Sequence, residues 1–175
     1  MYNIHIVGAG SLGAGLAIET ARRAGALKMP LEIFIYDDDE VEERNVFSQD
    51  FSPNHIGKKK AEAVADICSC FTGITARGVD TRLTKENIRE LELGPSSVLV
   101  DAVDNIPSRH LLWQHGFIAN VPVLHLGMSQ NGDGYVGWNF GKHDTFNLSP
   151  ALLTPAKLKE LSERKEEKKL APCVL

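Results

Sequence analysis

The residues with the clearest chemical meaning open the chain: Gly8-Ala9-Gly10-Ser11-Leu12-Gly13. Glycines at this spacing permit a tight turn and close backbone approach, and a helix that begins there offers free N–H groups to a phosphate. The loop directly follows the apolar run Ile4 to Val7 and opens a helical pattern, the context that separates a nucleotide loop from a chance match. The loop of Gly8, Gly10, Ser11, Leu12 and Gly13 is therefore the expected nucleotide-binding element; a purely structural turn is the alternative. Asp37 ends a second apolar run, where a carboxylate typically accepts hydrogen bonds from ribose hydroxyls. Asp38, Asp39 and Glu40 beside it also allow a solvated acidic turn. Ribose binding is expected of Asp37, and the solvated turn of Asp38 and Glu40. On these residues alone, a nicotinamide-dependent oxidoreductase and an ATP-binding protein are equally compatible.

The elements that must position these residues alternate. Ile4 to Val7 reads as a strand, Leu12 to Ala24 as a helix with Leu12 and Leu16 one turn apart, and Leu31 to Tyr36 as a strand. That is one βαβ unit. Asp38 to Gly57 is polar and reads as a long loop, of a length that in compact domains usually serves function. Lys59 to Phe71 is helical, with Val64, Ile67, Cys68 and Phe71 on one face. Thr75 to Val79 reads as a strand, Lys85 to Leu93 as a short helix, Ser97 to Val100 as a buried strand and Ser108 to Asn120 as a helix. Val121 to Leu126 and Tyr135 to Phe140 are late strands. The pattern predicts an α/β, Rossmann-like, doubly wound fold, with a mainly parallel sheet, right-handed crossovers and helices on both faces. Residues 1–145 form the expected nucleotide-binding domain, and 146–175 a charged C-terminal tail with a helix over Leu158 to Lys169.

Bulk properties narrow the class. A chain of 175 residues fits one domain with a core large enough to fold without staples. A net charge of -4 gives no basic excess for nucleic acid, which is excluded as the main partner. No apolar run approaches the roughly 18 residues that span a bilayer, and Met1 leads almost directly into a strand without the pattern of a signal peptide. Cys68, Cys70 and Cys173 are too few and too scattered for a disulfide framework and suit a reducing compartment. A cytoplasmic protein with no membrane partner is expected. Cys68 is read as core, Cys70 as partly exposed and Cys173 as an ordinary tail cysteine.

A wider set of residues carries a resemblance. Asp37, Asp39, Val41-Glu42, Asn45 and Gln49 are followed by Ile56-Gly57-Lys58-Lys59-Lys60-Ala61, Asp101-Ala102-Val103-Asp104-Asn105 and Arg109. Their order and spacing resemble the ThiF/MoeB/HesA superfamily, prokaryotic relatives of ubiquitin-activating enzymes, over roughly residues 3 to 140. The resemblance implies ATP-dependent adenylation: a carboxylate oxygen at the C-terminus of a ubiquitin-like or other small carrier protein attacks the α-phosphate, and pyrophosphate leaves. It implies ATP and Mg²⁺ as cofactors and a homodimer as the assembly. By the same match Gly8, Gly10 and Gly13 contact phosphates and Asp37 the ribose. Asp39 and Asn45 shape the phosphate pocket, Lys60 pairs with phosphate oxygens and Asp104 holds Mg²⁺, a hard cation that takes oxygen ligands. Asn45, Lys60 and Asp104 are thus the expected catalytic residues. Each has a plainer reading: Lys60 in a solvated lysine run, Asn45 bonding its own backbone in a turn, Asp104 as the N-cap of the next helix. Arg109 is expected to be a structural partner to a carboxylate.

The chain also departs from that pattern. Ser48 stands where the family has an arginine three residues after the Asn, and Arg44 nearby sits in a different register. The two CxxC pairs that hold zinc in many members are absent, no helix is expected before the first strand, and the carrier-binding region after the late strands is expected to be missing. A catalytically impaired, nucleotide-binding partner subunit is therefore an alternative to the adenylyltransferase, and the oxidoreductase a more distant one.

Overall fold

Short apolar runs separated by helical ones place the strands of one six-stranded sheet. The computed structural model describes residues 1–71, 73–128 and 134–139. Along the chain these form β1 (Tyr2–Val7), α1 (Ser11–Ala26), β2 (Leu31–Asp37), α2 (Glu43–Ser48), α3 (Lys60–Ser69), β3 (Ile74–Asp80), β4 (Ser97–Asp101), α4 (Ile106–Ala119), β5 (Val123–Met128) and β6 (Gly134–Asn139). The strand order is β3-β2-β1-β4-β5-β6. The first five strands pair in parallel, and β6 pairs antiparallel to β5. This is the expected mainly parallel α/β sheet.

The two faces are covered differently. Ile6, Ile33, Ile35 and Val100 point to one side, where they meet Ala14, Ala17, Ala21 and Ala24 of α1 and Ala61, Val64 and Cys68 of α3. Residues of alternate parity, Val7, Leu99 and Val123, point to the other, where Leu112 of α4 joins Leu83, Ile88 and Leu91 from the stretch between β3 and β4. The alanines of α1 let that helix lie close to the sheet. Cys68 is buried as expected, and Cys70 is exposed.

Two expectations are corrected. The polar stretch 38–57 is not a continuous loop. It contains α2 and a 3-10 turn at Pro53–His55. The helix α2 has almost no apolar face; it is held by a capping box in which the Glu42 side chain and the Asn45 side chain each bond the other's backbone. The helix expected over Lys85 to Leu93 reduces to a 3-10 turn at Ile88–Glu90. Asn87 diverts the local backbone: its Oδ1 accepts from Thr84 N at 2.7 Å and its Nδ2 donates to Arg82 O at 2.9 Å. The expected tail 146–175, its helix and Cys173 lie outside the described residues.

The sheet register sets the site. Val7 lies opposite Tyr36 on β2 and Asp101 on β4. Gly8, Asp37 and Ala102 therefore leave the carboxyl edge of the sheet side by side, at the point where the strand order reverses about β1. Open α/β sheets bind ligands in that crevice.

Candidate functional site

Each glycine of the first loop meets a different environment. Gly8 has φ of +97°, and a Cβ there would lie 2.7 Å from Ala102 O. A Cβ on Gly13 would lie 1.8 Å from Gly8 O. These two glycines are demanded by the protein's own packing. Gly10 differs, because a Cβ on it would meet nothing within 4 Å. Among the described residues nothing requires position 10 to be small, so the backbone there is open to close approach. The loop runs into the N-terminus of α1 at Ser11 and Leu12, and Gly10, the N-cap, makes no side-chain cap bond. The first amides of the helix and the favourable end of its dipole lie at this loop. Ser11 Oγ donates to Ser48 O at 3.0 Å, tying the loop to the end of α2.

Asp37 braces this loop. Its Oδ2 accepts from Ala9 N at 2.7 Å and its Oδ1 from Asp39 N at 2.9 Å. Burial raises its carboxyl above the usual carboxylate range, opposed by those two backbone bonds and by nearby Lys60. The loop after β2 then folds back on itself. Glu40 bridges antiparallel to Lys59, and Lys60 N donates to Asp39 O at 2.9 Å. That bridge brings residues 21 apart into contact, and Lys60 Nζ lies 2.9 Å from Asp39 Oδ2. The hydrogen bond from Lys60 is the main reason the Asp39 carboxyl sits below its ordinary value. Lys60 is buried to its head while Asp39 faces water. Its backbone is also seated from behind: a Cβ at Gly78 on β3 would come 2.5 Å from the Ala61 backbone.

Asn45 is buried, and its Oδ1 accepts from Glu42 N at 2.8 Å. Its oxygen is thus occupied by the cap of α2. Ser48 Oγ donates to Arg44 O at 3.0 Å, and Arg44 pairs with Glu42 at 2.6 Å on the exposed side of the helix. Across the crevice, Asp104 is exposed on the loop after β4 and accepts from Asn105 Nδ2 at 3.3 Å. It is not the helix cap: Asn105 Oδ1 takes that role, accepting from Ser108 N at 2.9 Å.

Two side chains, Arg82 and His125, have no counterpart in the sequence reading. Arg82, after β3, donates to Asp38 Oδ1 at 3.0 Å and extends positive charge over the acidic loop. Its signal was only an isolated arginine in a polar stretch. Beneath the loop after β4 lies a buried cluster. Asp101 is fully buried and 2.9 Å from Arg109 Nη1, so Arg109 is a structural partner to a carboxylate. His125 of β5 joins the same Asp101 oxygen at 2.7 Å. Asp101 and His125 stand 24 residues apart with no local pattern linking them.

The donor set fits a nucleotide with a divalent cation. The loop offers amides and an open Gly10 to phosphates, Lys60 offers a cation that now rests on Asp39, and Asp104 offers an exposed carboxylate for a hard metal. The oxygens of Asp37, Asp38 and Asp39 also lie within 4.8 Å of one another. The sheet order and the glycine loop define an α/β protein of the doubly wound class.

Comparison with known proteins narrows that class. The model of the ThiF family matches residues 1–171, and the chain belongs to that family. It is 35% identical over 122 residues to the SAMP-activating enzyme E1 of Haloferax volcanii, covering 69% of this chain and 43% of that protein. It is 29% identical over 124 residues to the adenylyltransferase and sulfurtransferase MOCS3-1 of Zea mays, covering 70% of this chain and 25% of that one. Among solved structures, MccB of E. coli with MccA superposes with a TM-score of 0.73 at 16% identity, over 99% of this chain and 50% of that one. The E. coli tRNA N6-threonylcarbamoyladenosine dehydratase TcdA, solved with ATP, gives 0.61 at 24% identity, over 75% and 54%. The structural likenesses show the fold. The chain spans about half or less of the length of these relatives. No described helix is long and apolar enough to cross a membrane.

Proposed function

We propose that this chain is an ATP- and Mg²⁺-dependent adenylyltransferase that activates the C-terminal carboxylate of a ubiquitin-like or other small carrier protein. One observation carries the reading: of the three glycines in the loop, Gly8 and Gly13 are closed in by protein backbone and Gly10 faces open space. The named activities of the relatives support it. Residue by residue, Gly8, Gly10, Ser11, Leu12 and Gly13 cradle the phosphates through backbone N–H groups. Asp37 holds the loop and presents its remaining acceptor capacity to the ribose. Lys60 exchanges Asp39 for phosphate oxygens, so its charge is delivered without moving far. Asn45 keeps α2 folded over the pocket wall. Asp104 holds Mg²⁺, which when bound would neutralise charge on the phosphates. In the reaction the carrier's carboxylate oxygen bonds to the α-phosphorus as the bond to the bridging oxygen breaks; the products are acyl-adenylate and pyrophosphate. The residues stabilise charge and position groups, which is most of what phosphoryl-type transfer asks of a protein. A homodimer in the cytoplasm, with no nucleic acid or membrane partner, belongs to the same reading.

A second reading is a partner subunit that binds nucleotide and turns over slowly or not at all. Ser48 and Arg44 favour it, because the serine hydroxyl is spent on a carbonyl and the arginine on Glu42. Removing one charge-stabilising group typically lowers turnover about 100- to 1000-fold. Pyrophosphate exchange into ATP with candidate carriers decides between the two. Exchange that disappears in Lys60→Ala and Asp104→Ala supports the enzyme. Tight ATP binding without exchange, with a gain in Ser48→Arg, supports the partner subunit. A preference for NADH over ATP would overturn both.

A further inference from the structure

The loop after β4 is held residue by residue. Ala102 N donates to Val7 O at 2.9 Å. Val103 N donates to Asp101 Oδ1 at 3.2 Å, and Val103 O accepts from Arg109 Nη2 at 2.6 Å. Asn105 closes the loop by capping α4. Asp104 is left exposed at the crest. Two of these ties come from the buried cluster. Arg109 Nη2 also donates to Leu126 O at 2.9 Å, so the guanidinium joins β4, β5 and the loop. The His125 imidazole braces the shared carboxylate from β5 through Nδ1.

Stability alone does not explain this cluster. A buried ion pair typically gains nothing over apolar side chains of the same volume, although losing one partner is severe. His125 adds a further penalty, since its buried Nε2 has no hydrogen-bond partner among the described residues. A leucine at position 125 would fill the space without that penalty. What the cluster provides is direction: fixed hydrogen bonds to the two peptide groups that precede Asp104.

We propose that Asp101, Arg109 and His125 are positioning residues that aim the Asp104 carboxylate at a divalent cation bound with the nucleotide, His125 acting through Asp101. This rests on Asp104 being the magnesium ligand. Partners of this kind behind a metal-binding group typically govern metal affinity by about 10- to 100-fold.

The test uses the full chain as wild type, His125→Leu, His125→Asn, His125→Gln and Asp104→Asn. ATP is titrated calorimetrically with Mg²⁺ and with EDTA, and amide exchange of residues 103–105 is followed without nucleotide. His125→Leu is expected to keep its affinity in EDTA within about twofold while losing about 10- to 100-fold with Mg²⁺, and to exchange those amides faster. His125→Asn, whose amide can take the place of Nδ1–H, recovers both; His125→Gln, which places its amide further out, does not. If His125→Leu does not fold, the contrast between the Asn and Gln variants decides alone. Unchanged exchange, an equal loss with and without Mg²⁺, or equal behaviour of the Asn and Gln variants overturns the proposal. If Asp104→Asn keeps the full Mg²⁺ effect, the magnesium reading fails instead, and amide exchange still reports whether His125 holds the loop.

Discussion

The two sides of the crevice handle charge in opposite ways. On the β2 side, Lys60 and Asp39 form a pair with one partner in water, and Asp37 is committed to backbone N–H groups. On the β4 side, the charges of Asp101 and Arg109 are buried, and the carboxylate offered to solvent, Asp104, stands apart from them. The first side is built to change partners: an arriving anion can replace Asp39 on Lys60. The second side is built to stay still. Under the proposed function, gripping a flexible polyphosphate and holding a metal with fixed geometry call for both.

The difference can be broken most severely from the buried side. Arg109→Met leaves Asp101 fully buried without its cation, and unfolding in urea should show a loss of about 3–5 kcal/mol. Lys60→Met on the open side leaves Asp39 in water, so the same measurement should change by less than about 1 kcal/mol. If both variants lose equal stability, the contrast is wrong.

The glycines sharpen it next. Gly13→Ala forces a Cβ against Gly8 O and should destabilise by about 3 kcal/mol. Gly10→Ala meets open space, so its Tm should hold while calorimetric affinity for ATP falls.

Third in size is Lys60→Met as a binding variant. Loss of a charge-assisted contact to phosphate, about 1.5–3 kcal/mol, predicts roughly 10- to 150-fold weaker ATP binding. Equal affinity in wild type and variant would remove Lys60 from the site.

The gentlest effect concerns His5, under the β2 side and stacked on Phe34. Burial lowers its imidazole from 6.5 to about 4. The folded state thus disfavours the proton that the unfolded chain takes up. Stability from neutral His5 is complete above pH 6.5 and declines as pH falls from 6.5 toward 4. Asp39, lowered by Lys60, adds a contribution that is lost only below its ordinary 3.8. In Tm measured against pH, His5→Phe should flatten the upper part of the acid limb, and Asp39→Asn only the lowest.

How much of this was written locally in the chain varies with the kind of force involved. Strands β1, β2, β4 and β5 announce themselves as apolar runs, since burial on both faces leaves no room for polar alternation. The glycine loop is legible because its requirements are steric and contiguous. The helix α2 leaves no periodic trace in the sequence because only Asn45 of its six residues is buried, and its stability comes from a reciprocal cap instead of a stripe. The Lys85 to Leu93 stretch has helical residues but lost its helix to one asparagine side chain. Lys60 and Asp39 meet through a β-bridge, and the spacing of 21 residues gives no periodic signal for it. The Asp101–His125 contact needs two strands in register before it exists at all.

Gly78 lies on β3, an edge strand of the sheet on which few side chains are buried. It is an exception: the backbone of α3 occupies the space a side chain would need, and Lys60 begins that helix. Mutational tolerance along this edge should therefore be punctuated. In a library randomised along β3, survivors with larger residues at 78 should be those that acquired a second change near Ala61. That would be epistasis between an outlying strand and the cation of the pocket, set by the distance of closest approach between two backbones.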